Sequence, residues 1–174
     1  MAREFQIVPA TAGMLTDILQ LEETCFSAPW TRKMLVAELT GNRFAQFLVA
    51  MAQQATEPPA ATIVGYHCFW IVFEELRLMN LAVRESMRRR GIGWALAAEA
   101  IRLGLAQGAT RAVLEVRASN EDAQVFYRRL GFAPFSTRRH YYVNPVEDAV
   151  LMEMDPLTLP ADPRSLRASA TGNG

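Results

Sequence analysis

Arg88-Arg89-Arg90-Gly91-Ile92-Gly93-Trp94-Ala95 decides the reading of this chain. An apolar run, Leu76 to Val83, precedes it, and a long helical pattern from Ile92 to Gln107 follows, stopped by Gly108. A basic, glycine-punctuated turn therefore joins a strand to a helix. The first turn of a helix presents N–H groups without intrahelical partners and a partial positive charge. Glycines there let the backbone approach an anion, and the arginines add charge beside it. The place suits a pyrophosphate. No Gly-Lys-Ser/Thr follows, so it is not a P-loop, and the glycine spacing is not that of a dinucleotide fingerprint. On its own, Arg-x-x-Gly-x-Gly reads equally well as a basic turn with glycines for tight packing.

Outward from this turn the chain alternates strands and helices. Phe5 to Val8 reads as an edge strand. Leu15, Ile18, Leu19, Glu22 and Phe26 recur at helical spacing with one polar exception, with Thr11 as the cap. Pro29 interrupts, and Thr31 to Leu39 reads as a short helix ending at Gly41. Phe44 to Met51 and Ile63 to Phe73 are β-rich runs, with Gln53 to Ala60 as the loop between them. Arg111 to Arg117 is a strand. Ser119-Asn120-Glu121-Asp122 opens a helix with a capping residue and acids in the first turn, and Gly131 ends it. Phe132 to Thr137 and Ala149 to Met154 are the last strands. The order β-α-α-β-β-β-α-β-α-β-β gives an α+β fold. Its mixed, mostly antiparallel sheet is flanked by helices, with one right-handed parallel crossover from Leu76 through Arg117. Residues 1–155 form one domain, and 156–174, rich in Pro, Ala, Ser and Gly, read as a loosely ordered tail.

Composition narrows the class. Eighteen Lys plus Arg balance eighteen Asp plus Glu. A neutral chain lacks the basic excess of a dedicated nucleic-acid binder. The longest apolar run, near Tyr66 to Phe73, is far below the roughly 20 residues of a membrane span, and Met1 to Pro9 does not look like a secretory leader. The expectation is a cytoplasmic protein with neither nucleic acid nor membrane as partner. Cys25 and Cys68 make no zinc or disulfide pattern, and His67 and His140 make no metal pair, so no metal is expected.

Three further segments extend the pattern: Leu114-Glu115-Val116-Arg117-Ala118-Ser119-Asn120, Phe126-Tyr127-Arg128-Arg129-Leu130-Gly131-Phe132, and Arg138-Arg139-His140-Tyr141-Tyr142 followed by Glu147-Asp148-Ala149. With the arginine–glycine turn, and in this order, they resemble the GNAT superfamily of N-acetyltransferases. Together they resemble its ribosomal-protein alanine N-acetyltransferase (RimI) subgroup, over about Glu4 to Asp155. Ala28-Pro29-Trp30 resembles that subgroup's first interhelical loop.

The resemblance implies acetyl-CoA as cosubstrate. Backbone groups of Leu81, Ala82 and Val83 would bond its pantetheine, and Arg89, Arg90, Gly91, Ile92, Gly93 and Trp94 would cradle its pyrophosphate. Read alone, Leu81-Ala82-Val83 is plain core strand. Trp94 departs from the smaller or basic residue expected there, and His140 replaces an expected Asn. Asn120 would bond the pantetheine while serving as an N-cap. Glu115 would take a proton from the incoming ammonium and Tyr127 would give one to the leaving thiolate. Without the family, Glu115 is a solvated strand residue and Tyr127 a core residue. An α-amine titrates near 7.7–8.0 and a thiol near 8.5 by reference values, so neither proton transfer asks much of its residue. Pro29, Trp30, Arg139, Tyr141 and Tyr142 would line a groove for a protein or peptide N-terminus, a ribosomal protein's by the subgroup. The alternatives are a GNAT enzyme acting on a small amine and a non-catalytic acyl-CoA-binding module.

Overall fold

A computed structural model of the chain describes residues 4–54 and 60–162. Seven strands form one sheet: β1 (Phe5–Pro9), β2 (Ala45–Gln54), β3 (Ala60–Val72), β4 (Glu75–Val83), β5 (Arg111–Arg117), β6 (Ala133–Val143) and β7 (Val146–Met154). Their spatial order is β1-β2-β3-β4-β5-β7-β6. Only β4 and β5 pair in parallel. The helices are α1 (Leu15–Cys25), α2 (Arg32–Val36), α3 (Ile92–Ala106) and α4 (Glu121–Leu130).

The two faces of the sheet carry separate cores. One packs Ile92, Leu96, Ala100 and Ile101 of α3 and Tyr127 and Leu130 of α4 over Leu78, Leu114 and Val116. The other packs Ile18 and Leu21 of α1 and Leu35 of α2 over Val49, Tyr66 and Ala82. The alternation of β5 decides what faces where. Ala112, Leu114 and Val116 are buried against α3 and α4, so Glu115 points to the opposite face.

The feature that positions the site is where β4 leaves β5. The two pair only from Glu75↔Arg111 to Leu78↔Leu114. At the next residue β4 bulges: Phe69 pairs with Leu78 and Cys68 with Asn80, leaving Met79 over. A bulge bends its strand and sharpens the local twist. Beyond it β4 stays with β3 while β5 goes on with β7, and a wedge opens between them. Glu115 is the first β5 residue past the closed end.

Several boundaries differ from the sequence reading. The last hairpin is longer than expected, because β6 is an edge strand exposed on almost every residue and carries no alternation to read. Thr11 makes no side-chain cap; it precedes a 3-10 turn, Ala12–Met14. Thr31 does cap, its hydroxyl accepting from Met34 N. The helix after it relaxes into a π turn, Ala37–Gly41. Most of the expected 53–60 loop lies outside the described residues, as do 163–174 of the expected tail. Past Asp155, Leu157 is buried in the α3-side core and its N–H donates to Thr110 O at 2.7 Å.

Candidate active site

The β4 edge of the wedge is open backbone. Arg84 N donates to Val64 O at 2.8 Å. In the antiparallel β3–β4 register, alternate residues turn their polar groups toward the partner strand. Ala82 therefore directs its N–H and C=O to Tyr66, while Leu81 and Val83 direct theirs away from β3, into the wedge. Of the three residues expected to offer backbone contacts there, Leu81 and Val83 face the wedge and Ala82 does not. Val83 O already accepts from Arg88 Nε at 3.0 Å, with Cys25 Sγ 3.7 Å away.

At the mouth of the wedge, Gly91 is the N-cap of α3, at φ +81°, in the left-handed region that glycine reaches without cost. A side chain there would enter open space, so conformation and not crowding selects the glycine. Arg89 also has a positive φ, 64°. The first N–H groups of α3 have no intrahelical acceptor, and exposed Arg88, Arg89 and Arg90 surround them. An extended amide-bearing chain along β4 with a pyrophosphate at α3 fits both features. Trp94 turns into the core and meets Phe126 of α4 edge-on, ring centroids 6.4 Å apart, so its bulk is taken up by helix packing.

Tyr127 reaches the wedge from the α4 side. It is buried, its ring edge-on to those of Phe126 and Phe132. Burial, with the neighbouring Tyr142 second, holds the phenol well above its ordinary value, so it keeps its proton at neutral pH. The helix that carries it is fixed at both ends. Asn120 Oδ1 accepts from Ala123 N at 3.1 Å and Gly131 closes the C-terminus at φ +111°. Buried Gln124 donates to Arg117 O and Ala118 O.

Glu115 comes from the opposite face and is walled by the β6–β7 hairpin. Its Oε1 accepts from Arg138 Nη1 at 2.9 Å, and its side chain is 25% exposed. The adjacent carboxylate, with burial, holds the Tyr141 phenol above its ordinary value. Tyr142 is pushed up to about 12, mainly by burial and then by the Glu115 charge. The Arg117 guanidinium lies 4.2 Å over the Tyr142 ring. Between Arg138 and Tyr142 the β6 register slips, and Asp148 Oδ1 accepts from His140 N at 2.8 Å, holding His140 at φ +51°. The bulge so held carries Arg139 and Tyr141. Arg138, quoted in the motif but passed over as a site residue, is the arginine that touches Glu115. Arg139 is exposed and makes no such contact. Pro29 is exposed and Trp30 half-buried in the loop between α1 and α2.

Sequence reasoning also missed Glu22. It is fully buried, and its carboxylate accepts from Trp30 N at 2.8 Å, from Asn80 Nδ2 at 2.7 Å and from the Tyr66 hydroxyl. The signal was the one polar residue in the stripe of α1.

Residues 15–132 match the acetyltransferase (GNAT) family. The chain belongs to this family. It is 31% identical to the ribosomal protein bS18-alanine N-acetyltransferase of Escherichia coli K12, over 77% of this chain and 86% of that protein. The crystal structure of the ribosomal-protein-S18-alanine N-acetyltransferase from Escherichia coli superposes with a TM-score of 0.76 at 25% identity, covering 91% of this chain and 97% of that one. Arabidopsis thaliana NAA60 in complex with acetyl-CoA shares the fold at a TM-score of 0.76 and 17% identity, over 87% and 98% of the two chains. The chain is thus an N-acetyltransferase that uses acetyl-CoA. Among the described residues no helix is long and apolar enough to cross a membrane, and no group of three or more His, Cys, Asp or Glu could hold a metal ion.

Proposed function

We propose that this acetyltransferase modifies the α-amine of a protein N-terminus, and that its substrate is the N-terminal alanine of ribosomal protein bS18, met in the cytoplasm. The carrying observation is the position of Glu115. It is a partly exposed carboxylate at the closed end of the β4–β5 wedge, already holding a cation, with Tyr127 on the other face of the same opening. An α-ammonium is a guest of the same kind as the Arg138 guanidinium. The relatives named for bS18 support the choice of amine.

Acetyl-CoA supplies an activated acetyl group with a good leaving thiolate. The chain's own residues do the rest. Leu81 and the Val83 N–H offer backbone partners along the wedge, and the Gly91 turn with Arg89 and Arg90 takes the phosphates. Glu115 removes a proton from the ammonium, which frees the nitrogen lone pair. As the C–N bond forms and the C–S bond breaks, Tyr127 gives its proton to the sulfur, and the second proton shed by the acylated nitrogen passes through solvent to restore the phenol. Pro29, Trp30, Tyr141 and Tyr142 border the peptide.

The test is one peptide with a free N-terminal Ala and an internal Lys, compared with a polyamine. Mass mapping should place the acetyl group on the α-amine, with the polyamine turned over far more slowly. Acetylation of the Lys side chain, or faster turnover of the polyamine, would overturn the assignment.

A further inference from the structure

Glu22 is the most unusual charged group outside the reacting site. It sits on α1 among Ile18, Leu21 and Leu35, with no exposed surface, and no cation contacts it among the described residues. A carboxylate buried this way is costly unless donors replace its water. Three neutral donors do so, from three separate elements. The Trp30 amide comes from the α1–α2 loop to Oε2, and Asn80 Nδ2 of β4 and the Tyr66 hydroxyl of β3 come to Oε1. Burial and the Glu22 charge raise the Tyr66 phenol, which keeps it a donor.

The donors mark two places that the reaction must keep in register. Asn80 directly follows the bulge at Met79, where β4 leaves β5. Trp30 is the exit of the loop that borders the proposed peptide groove. The sheet holds β4 through β3, whereas the loop packs Phe26 and Trp30 on the α1-side core and is tied at its exit by the Trp30 amide. We infer that Glu22 is a positioning residue that seats the α1–α2 loop against the splayed half of β4, and so sets where the acceptor peptide lies relative to the donor. The inference rests on the groove assignment of Pro29 and Trp30 above.

Glu22→Gln tests it, because shape is kept while one acceptor oxygen becomes a donor. A glutamine carbonyl can serve Trp30 N or the Tyr66–Asn80 pair, but its NH₂ then faces a donor on the other side. KM for the N-terminal Ala peptide should rise about tenfold or more, while the calorimetric Kd for CoA changes less than about threefold. Exchange of the Trp30 amide should quicken, with the β3–β4 amides unaffected. Tyr66→Phe is the control. It removes one donor and leaves the Trp30 contact, so it should cost stability with little change in peptide KM. If Glu22→Gln does not fold, Glu22→Asp, one methylene short of bridging both sides, should give the same split.

Unchanged peptide KM in a folded Glu22 variant would overturn the proposal. So would a loss of CoA and peptide binding together that tracks Tm equally in the Glu22 and Tyr66 variants. If the wild type ignores the peptide, the substrate assignment fails and takes the groove role with it; unaltered Trp30 exchange would separately refute the anchor.

Discussion

Glu22 and Glu115 are both glutamates on the same side of the sheet, yet their environments are opposite. Glu22 is sealed, and every partner is a neutral donor fixed on a different element. Glu115 is a quarter exposed, and beside the Tyr141 phenol it holds a cation, Arg138, itself half exposed. A carboxylate surrounded by fixed donors holds backbone segments in place. One that faces a cleft and holds an exchangeable cation can trade it for a substrate ammonium and accept a proton. The comparison separates scaffold from chemistry within one residue type, and it can be broken experimentally.

The largest effect expected is from Glu115→Gln, which should lower kcat/KM at pH 7 by about 10²–10⁴-fold with little change in Tm. A drop in Tm with nearly normal turnover of the surviving fold would exchange the roles of the two glutamates. Tyr127→Phe should come next, a loss near the low end of that range, about 10²-fold, since a thiolate leaves readily. Its Kd for CoA should stay at the wild-type value; weakened CoA binding would make Tyr127 a packing residue. Gly91→Asp should reduce CoA affinity by at least about tenfold, because it sets a charge beside the proposed phosphate seat. Native circular dichroism with undiminished affinity would remove the turn from the site.

The smallest effect concerns His67, which shows burial without such support. It is fully buried, its Nδ1 is 3.4 Å from Leu96 O, and its Nε2 has no partner among the described residues. Burial lowers its pKa to about 4 from the usual 6.5. The neutral ring is thus favoured in the fold. Stability is fully present above pH 6.5 and falls as pH drops toward 4, because the unfolded chain takes up the proton first. The shift corresponds to about 3 kcal/mol at most. His67→Leu should flatten the fall in Tm between pH 6.5 and 4, and an unchanged slope would assign the acid sensitivity elsewhere.

The sheet and helix order was legible in the sequence because strands β2 to β5 are buried and apolar and α4 carries caps at both ends. The edge strand β6 was not, since a strand exposed on both faces has no period to read. The strand, turn and helix that bring Gly91 to the wedge were visible as local chemistry, but the wedge was not. It depends on the bulge at Met79 and on β5 choosing β7, both of which are pairing facts. For the same reason the spacing from Glu115 to Tyr127 could not tell that the two approach from opposite faces. Glu22 was read as a polar blemish in an apolar stripe, because its donors lie 8, 44 and 58 residues away.

In the proposed mechanism Glu115 takes the proton of the incoming amine. The direct measurement is kcat/KM against pH for wild type and Glu115→Gln with one N-terminal Ala peptide. The Gln variant should be most impaired at low pH, where the amine is ammonium, and should recover as pH passes the amine's reference value of about 8. Parallel profiles across the whole range, or a variant equal to wild type throughout, would contradict it and leave Glu115 a structural strand residue.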